Sequence, residues 1–550
     1  MALWNGRAAG LRRAARSGAG YLAIASALYV AAGVSATWPA ILHARSHFLS
    51  GGASGHGEAS PGDHLQTLYH WWLVGDQVQH GHAPWLDPFS FRPEAGAQPN
   101  FPGWPFGFLF WPLGALFGLV VAWNAMQIVC YALAGLLACA WLRELGLARA
   151  PALVGGLAFA IAPYRVAQSV GHLLGPISVL LPLALWAVER ARRGSAWWIA
   201  LAGAAIASIP LSGQVHLALG AIPFFFAYAL VRLPRAWLAI VAATLAAIGA
   251  GIVVRQTVIA RSTQAGGRSL EEVSHYSARW GDFVARHIDH ARSEQFTFFG
   301  WATPLIALAG LIVLVRTRRF GLAALLGIGA LVPLLLAVGT HLPVYAALWH
   351  ALPPFRFPRV PERLLPIACL CIAALVAYAI ARTASVAVAV VAIAVIFVDL
   401  HARVYGKSAA DSGGAAYAAV HTAPPGRLLE LPVFDPGVHY GSVYLWYDTH
   451  ARRQRLGGYS TTAPTAAKEL ARRLERLNCG DWSGGTKGLL DRLGVTAISV
   501  HGGLFTRNGA VPDRRYFALR GLRQHGWAPT AAAQPIALFT RGRALSTLPV

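Results

Sequence analysis

The chain has 550 residues, of which 56% are hydrophobic and only 13% charged, a balance that excludes an ordinary soluble protein and points to the membrane class. Its net charge of +23 is spread over short loops, with no nucleic-acid-binding motif, so a nucleic-acid partner is excluded as well. The five cysteines form neither a disulfide framework nor a zinc spacing.

A basic stretch with Arg7, Arg12, Arg13 and Arg16 precedes an apolar run from Tyr21 to Leu42. The run is long and lacks a clear small-residue cleavage site, so it reads as an uncleaved first helix rather than a signal peptide. A bilayer core of roughly 30 Å needs about 20 apolar residues per helix. Suitable runs start near Gly20, Trp123, Pro151, Leu174, Ala196, Val215, Ala236, Phe299, Phe320, Leu364 and Ser385, giving about eleven spans. Every second loop is basic: Arg143 and Arg149; Arg190, Arg192 and Arg193; Arg232 and Arg235; Arg316, Arg318 and Arg319; Arg382. The positive-inside rule makes these loops cytoplasmic. The expectation is therefore a multi-pass protein of the cell membrane, its N-terminus cytoplasmic and, with an odd number of spans, its C-terminal region extracytoplasmic.

Three long loops fall outside. Residues 43–104 are rich in Gly, Pro, His and Trp, and Trp71, Trp72, Trp85, Trp104 and Trp111 suit the headgroup level. The segment Trp104 to Val121 is apolar but interrupted by Pro105 and Pro112. Read as a span it would invert everything after it, so it reads as an interfacial or re-entrant piece. The second loop, 255–295, interleaves Arg and His with Glu271, Glu272, Asp282 and Asp289. In the third, 339–363, four prolines between Pro353 and Pro361 prevent a continuous helix. From about His401 the composition changes. Strands are expected at Leu428–Val433, Thr496–His501 and Ile536–Thr540, with helices at Ala466–Leu477 and Thr486–Leu493. The chain thus divides into a transmembrane part, 1–400, and a small α/β domain, 401–550.

Asp63 is a lone carboxylate opening a Trp-rich amphipathic segment in the first loop. Gln66 stands three residues on, a capping-box spacing that would make Asp63 a helix cap; the same acid at the mouth of a helical bundle could instead deprotonate an acceptor hydroxyl. The GD-x-x-Q opening, the Trp-rich helix and the following DPFSFRPEAG resemble the polytopic glycosyltransferases of the GT-C superfamily. The run from Trp123 to Leu173 is similar to uncharacterised bacterial members, the YfhO-like and mannosyltransferase-like groups, and GGYS at Gly457–Ser460 fits a C-terminal extracytoplasmic domain.

The resemblance implies a helical GT-C bundle that transfers a sugar from a polyprenyl-phosphate donor to an acceptor on the outer face. The partners it implies are a membrane lipid and a lipid-linked sugar. Asp63 matches the first-loop acid of that superfamily and would be the general base of an inverting transfer. Many members carry two nearby acids; here the next residue is His64, which argues against a paired-acid or metal-dependent variant. No cofactor is indicated, although a divalent metal stays open. A phosphate leaving group needs only cations. Candidates are Arg165 and His172 at the outer ends of two spans, and Arg356, Arg359 and Arg363 in the third loop, where the positive-inside rule predicts few cations. A snorkelling anchor is the competing role for each Arg, and a buried histidine bonded to the backbone is the competing role for His172. Weaker candidates for acceptor or metal binding are Asp76, Asp87, Glu271, Glu272 and His275. Asp87 precedes Pro88, a turn signal. A lipid transporter or flippase, or a non-catalytic envelope assembly protein on the same scaffold, are the alternatives. The scarcity of internal repeats and of charges within the spans disfavours the transporter.

Overall fold

A computed structural model describes residues 2–52, 55–195, 197–287, 294–383, 385–411, 414–507 and 512–541; within these, the side chains of residues 2–17, 414–415, 506–507 and 512–513 are not described. Asp289 and the side chains of Arg7, Arg12, Arg13 and Arg16 lie outside the described residues.

In chain order the helices of the first 400 residues are α1 (Ala2–Ala36), α2 (Asp63–Gln79), α3 (Gly107–Phe117), α4 (Leu119–Glu144), α5 (Arg149–Ala160), α6 (Pro163–Ala167), α7 (Leu174–Ile177), α8 (Leu180–Ala191), α9 (Trp197–Leu211), α10 (Val215–Arg232), α11 (Trp237–Thr257), α12 (Leu270–Tyr276), α13 (Ala302–Arg316), α14 (Phe320–Ala337), α15 (Pro343–Ala351), α16 (Leu365–Ala381) and α17 (Val386–Leu400). Among the described residues seven helical segments are long and apolar enough to cross a bilayer: Gly18–Ala36, Leu119–Glu144, Leu174–Ala191, Val215–Arg232, Pro234–Arg261, Phe320–Ala337 and Pro361–Ala381. Five shorter apolar helices, α3, α5, α9, α13 and α17, accompany them. Each of the eleven runs picked out in the sequence forms a helix, but several are shorter than the run that announced them. With a rise of about 1.5 Å per residue, α3 is only about 16 Å long and does not cross a bilayer. The protein is a polytopic α-helical membrane protein.

Lipid tails are as apolar as leucine, so helices in a bilayer associate by packing rather than by escaping water. The hub of the bundle is α16, whose span is 89% buried. It packs against α5, α13 and α14. The approach of α13 depends on Gly310, where a Cβ would stand 1.8 Å from the Leu375 carbonyl oxygen.

The two ends of the bundle differ in charge. At one end the basic loops meet acids: buried Glu189 accepts from Arg232 (2.8 Å) and Tyr228 (2.7 Å), and half-buried Glu144 pairs with Arg193 (2.8 Å) and Arg190 (3.3 Å). At the other end the first, second and third long loops converge with the C-terminal region.

The first loop is pinned by α4. Asn124 accepts from the Leu49 amide (2.8 Å) and donates to the carbonyls of Ala44 (2.7 Å) and His47 (2.8 Å), and the Trp123 indole donates to Leu49 O (3.0 Å). Strand β1 (His47–Ser50) then pairs antiparallel with a strand beyond the last bundle helix, Gly406–Ala409, so the chain after residue 401 begins as part of the first loop. A two-residue ladder, β2 (Leu86–Asp87) with β3 (Gln98–Pro99), closes the same loop. With Gly406–Ala409 as β4, the tail contributes a four-stranded sheet of β5 (Arg427–Leu431), β6 (Val495–His501), β7 (Ala528–Ala533) and β8 (Ile536–Thr540) in the order β5-β6-β8-β7. β5 and β6 are parallel, and the other pairs antiparallel. Strand β5 ends two residues before the expected Val433, because Pro432 has no amide hydrogen to continue a ladder. Leu429, Leu431, Ile498, Val500, Trp527 and Phe539 form a core separate from that of the bundle.

A buried ionic ladder joins tail and first loop. Arg455, fully buried, reaches Glu430 and Asp448 (2.7 Å). Tyr69 of α2 donates to Asp448 (3.1 Å) and Asp87 (3.0 Å). Glu58 of the first loop accepts from the Gly503 amide (2.8 Å) and bonds His501 Nδ1 (2.8 Å). The tail is therefore fixed to the loop that carries Asp63.

Candidate active site

The expected capping box does not form. Gly62 holds the N-cap position of α2, no side chain caps the helix, and Gln66 donates its amide to Tyr459 O (3.0 Å). Asp63 is already in the first helical turn, where the helix dipole favours a negative charge. Its carboxylate turns instead to two stronger, charge-assisted partners. His172 Nε2 lies 2.8 Å from Oδ2, and the Tyr459 hydroxyl donates to Oδ1 at 2.6 Å.

Each partner comes from a different part of the chain. His172 sits in the link between α6 and α7, tied to α2 by the Thr67 hydroxyl, which donates to Gly171 O (2.9 Å). Tyr459 belongs to the GGYS segment of the tail, which the Phe91 amide holds through Gly457 O (3.1 Å). Glu294, from the second loop, stands 3.7 Å from His172 Nε2. Arg363, from the third loop, donates to the same oxygen, Glu294 Oε1, at 3.4 Å. The result is a chain of alternating charge: Asp63, His172, Glu294, Arg363.

The electrostatics follow from that order. Burial disfavours charge on Asp63, but the hydrogen bond and charge of His172, the Tyr459 hydroxyl and the charge of Arg363 outweigh it and hold the carboxyl well below the usual range. Burial would favour a neutral His172, yet the charge of Glu294 and the bond and charge of Asp63 raise the ring above its ordinary value. Glu294 is likewise held low: His172 and Arg363 overcome its burial. Gln168 Oε1 faces His172 Nδ1 at 2.9 Å, so both ring nitrogens point at acceptors, the pattern of an imidazolium. The neighbouring His64 is the opposite case, pushed down to about 3 by burial, and is a neutral ring packed against Phe48.

Two cavities meet at this pair. The smaller, about 260 Å³, has Asp63, His172 and Tyr459 at its head. Its lining combines the guanidiniums Arg268, Arg359 and Arg363 with the apolar Phe101, Val254, Val258, Ile259 and Phe357, and His216 is there a neutral ring whose Nε2 accepts from the Arg359 amide (3.1 Å). The larger, about 770 Å³, shares Asp63, Gly171 and His172 and is otherwise mixed, with Gln168, Arg286, His287, His401 and Arg403 beside the apolar Ala167, Val170 and Val404. The Asp63–His172 pair is part of the wall common to both.

The other expected residues are dispersed. Arg359 lines the smaller cavity with its guanidinium 4.8 Å over the Tyr276 ring, and it pairs with no carboxylate among the described residues. Arg165 does not reach the site: it is fully buried and its donors are taken by Ser178 Oγ (2.7 Å) and the carbonyls of Ala160 (2.8 Å), Cys130 (3.3 Å) and Gly175 (3.3 Å). It organises the break between α5 and α8. Arg356 lies exposed outside both cavities, folded onto the carbonyls of Trp349 (3.1 Å) and His350 (3.0 Å). Asp76 is at the far end of α2, paired with Arg452 (2.9 Å). Asp87 borders the smaller cavity, but its Oδ1 closes a turn by accepting from the amides of Phe89 (2.8 Å) and Ser90 (3.2 Å). Glu271 and His275 are exposed on α12, and Glu272 starts that helix on the Ser269 cap and pairs with Arg268; none of the three lines either cavity.

Among the described residues no group of three or more His, Cys, Asp or Glu side chains is arranged to hold a metal ion. His172 Nε2 stands between two acids, 2.8 Å from Asp63 and 3.7 Å from Glu294.

Glu294, Tyr459, Arg268 and His216 were not anticipated as site residues. Only Tyr459 carried a signal, as part of the GGYS motif. Glu294 ends a loop with several other acids and nothing local distinguishes it from them.

No protein-family model and no curated protein matches the sequence. Solved structures do match. Arabinofuranosyltransferase AftD from Mycobacteria aligns with a TM-score of 0.57 at 14% identity over 95% of this chain and 40% of that chain. ArnT from Cupriavidus metallidurans aligns at 0.47 and 12% identity, over 96% and 98% of the two chains. The oligosaccharyltransferase AglB from Archaeoglobus fulgidus, solved with an inhibitory peptide and a dolichol-phosphate, aligns at 0.47 and 13%, over 95% and 74%. The chain spans only about two-fifths of the length of AftD. At such identities the likeness to AftD is one of fold alone, and it extends through the bundle into the region after residue 401: this chain has a GT-C-like fold.

Proposed function

We propose that the protein is an integral-membrane glycosyltransferase that moves a sugar from a polyprenyl-phosphate donor to an acceptor hydroxyl on the extracytoplasmic face, with inversion. The observation that carries this reading is the position of Asp63: its carboxylate, 2.8 Å from His172, borders both cavities at once. The smaller cavity, which combines guanidiniums with apolar side chains, suits a lipid phosphate. The larger, lined by Arg286 and Arg403, suits the acceptor. The likeness to AftD supports glycosyl transfer as the reaction class.

In this mechanism the acceptor hydroxyl approaches Asp63 from the larger cavity and attacks the anomeric carbon. The new C–O bond forms as the bond to the phosphate oxygen breaks, the electron pair leaves with the phosphate, and the hydroxyl proton passes to Asp63. Arg359 and Arg363 stabilise the departing anion. His172 and Tyr459 aim the carboxylate. In the resting site Asp63 is ionised but a weak base, because the surrounding cations favour its anion. A donor phosphate beside Arg363 brings negative charge close to Asp63 and strengthens it as a base only when the donor is bound.

The test is transfer by the full-length protein in membranes, supplied with a polyprenyl-phosphate sugar. Asp63→Asn and Asp63→Ala should each lower turnover by about 10²–10⁴-fold, the usual contribution of a positioned base. Retention of activity by both variants would remove Asp63 from the mechanism. Cysteine labelling from outside at the first loop should succeed in intact cells, and labelling only after permeabilisation would overturn the proposed sidedness.

A further inference from the structure

We infer that the larger cavity binds an acceptor that carries an anionic group, phosphate or carboxylate, close to its reacting hydroxyl. This rests on the transferase reading for the word acceptor, but the anion site stands on its own evidence. Two guanidiniums, Arg286 and Arg403, line this cavity. Arg286 is held by neutral partners: it donates to the carbonyls of His401 (3.2 Å) and Val398 and lies 5.5 Å over the Trp301 ring. Arg403 is exposed and pairs with no carboxylate among the described residues. The only carboxylate among the described lining residues is Asp63, and it is already matched to His172.

The contrast with the smaller cavity is informative. There Arg268 pairs with Glu272 and Arg363 with Glu294, and only Arg359 lacks a carboxylate partner among the described residues. In the larger cavity neither guanidinium pairs with a carboxylate among the described residues. Nearby His401 reports the same field, since burial together with the charges of Arg403 and Arg286 lowers its ring below the ordinary histidine value. A recess with two guanidiniums that no described carboxylate neutralises raises the local concentration of anions and offers bidentate contacts to phosphate or carboxylate. At about 770 Å³ it is as large as known small-ligand sites. The cations come from the second loop and from the start of the tail, whereas Asp63 comes from the first loop. An acceptor anchored by its anion would thus present a neighbouring hydroxyl to Asp63.

The anion has two sources, a lipid headgroup and a soluble molecule. The full-length protein in phosphatidylcholine nanodiscs would be titrated with glucose 6-phosphate and, separately, with glucose. Glucose 6-phosphate should bind at least about ten-fold more tightly, and Arg403→Ala and Arg286→Ala should each abolish that preference, whereas Arg403→Lys retains part of it. Discs containing phosphatidylglycerol should displace the sugar phosphate if the source is a headgroup and leave it bound if the source is soluble. Equal binding of the two sugars, or a preference untouched by both Arg→Ala variants, would overturn the inference. Asp63→Asn separates the two ideas: it should abolish transfer while glucose 6-phosphate still binds. Transfer surviving in that variant counts against the transferase reading alone.

Discussion

Removing His172 should make the acid limb of the reaction visible. In the native site the ring bonds Asp63 at 2.8 Å and, as an imidazolium, helps hold the carboxyl well below its ordinary value. A hydrogen bond to a charged group is worth about 1.5–3 kcal/mol, which corresponds to one to two pK units. About a third of the Asp63 side-chain surface remains open. Solvent screening therefore sets the expected shift in His172→Ala near one unit. The sign is fixed: a carboxylate with a depressed pKa stays ionised until the pH falls through that low value, so losing the cation moves the loss of base upward in pH. Burial, no longer opposed by His172, pushes the same way. His172→Gln, which keeps a neutral donor, should shift the limb by less than His172→Ala. The assay is the pH dependence of kcat/KM for the acceptor at saturating donor, whose bound phosphate itself raises the Asp63 carboxyl, taken from about pH 8 down to about pH 3. An acid limb that stays in place in His172→Ala, or moves down, would refute the assignment of Asp63 as the titrating base.

Tyr459→Phe removes the 2.6 Å bond to Asp63 Oδ1 and should raise the same limb by up to about one unit, with thermal melting little changed. Arg359→Ala should raise the donor KM about ten-fold or more and leave the acceptor KM unaltered, measured by titrating each substrate separately. Arg455→Met strands Asp448 and Glu430 as buried acids, at a cost of about 3–5 kcal/mol, read as earlier proteolysis or faster amide exchange in the tail. The lesion should be relieved by acid. Burial already pushes the Asp448 carboxyl up to about 7, so the folded tail binds a proton that the unfolded chain releases, and its stability falls as pH rises toward that value.

The bundle and much of the tail were legible in the sequence because their causes are local. A helix in lipid must satisfy its own backbone over a bilayer's width, so each span is announced by a run of apolar residues. The proline-broken run ahead of α4, set apart from the spans by the charge of the following loop, forms the short helix α3. Strands β5, β6 and β8 showed as short apolar runs, and β8 was placed to the residue. By itself, then, the chain determined a polytopic helical bundle with a mixed tail and an acid at the head of α2. What only the tertiary structure decided is what that acid does. Its capping role was a fair reading of the spacing between Asp63 and Gln66, and it lost because partners from 109 and 396 positions away offer stronger, charge-assisted bonds. Arg165 and Arg363 are both arginines near helix ends, yet one is spent on buried carbonyls and the other completes a chain of charges. Which of these a cation does depends on the groups within a few ångströms of it, and in this fold those groups are set by the meeting of three loops and a tail at one end of the bundle.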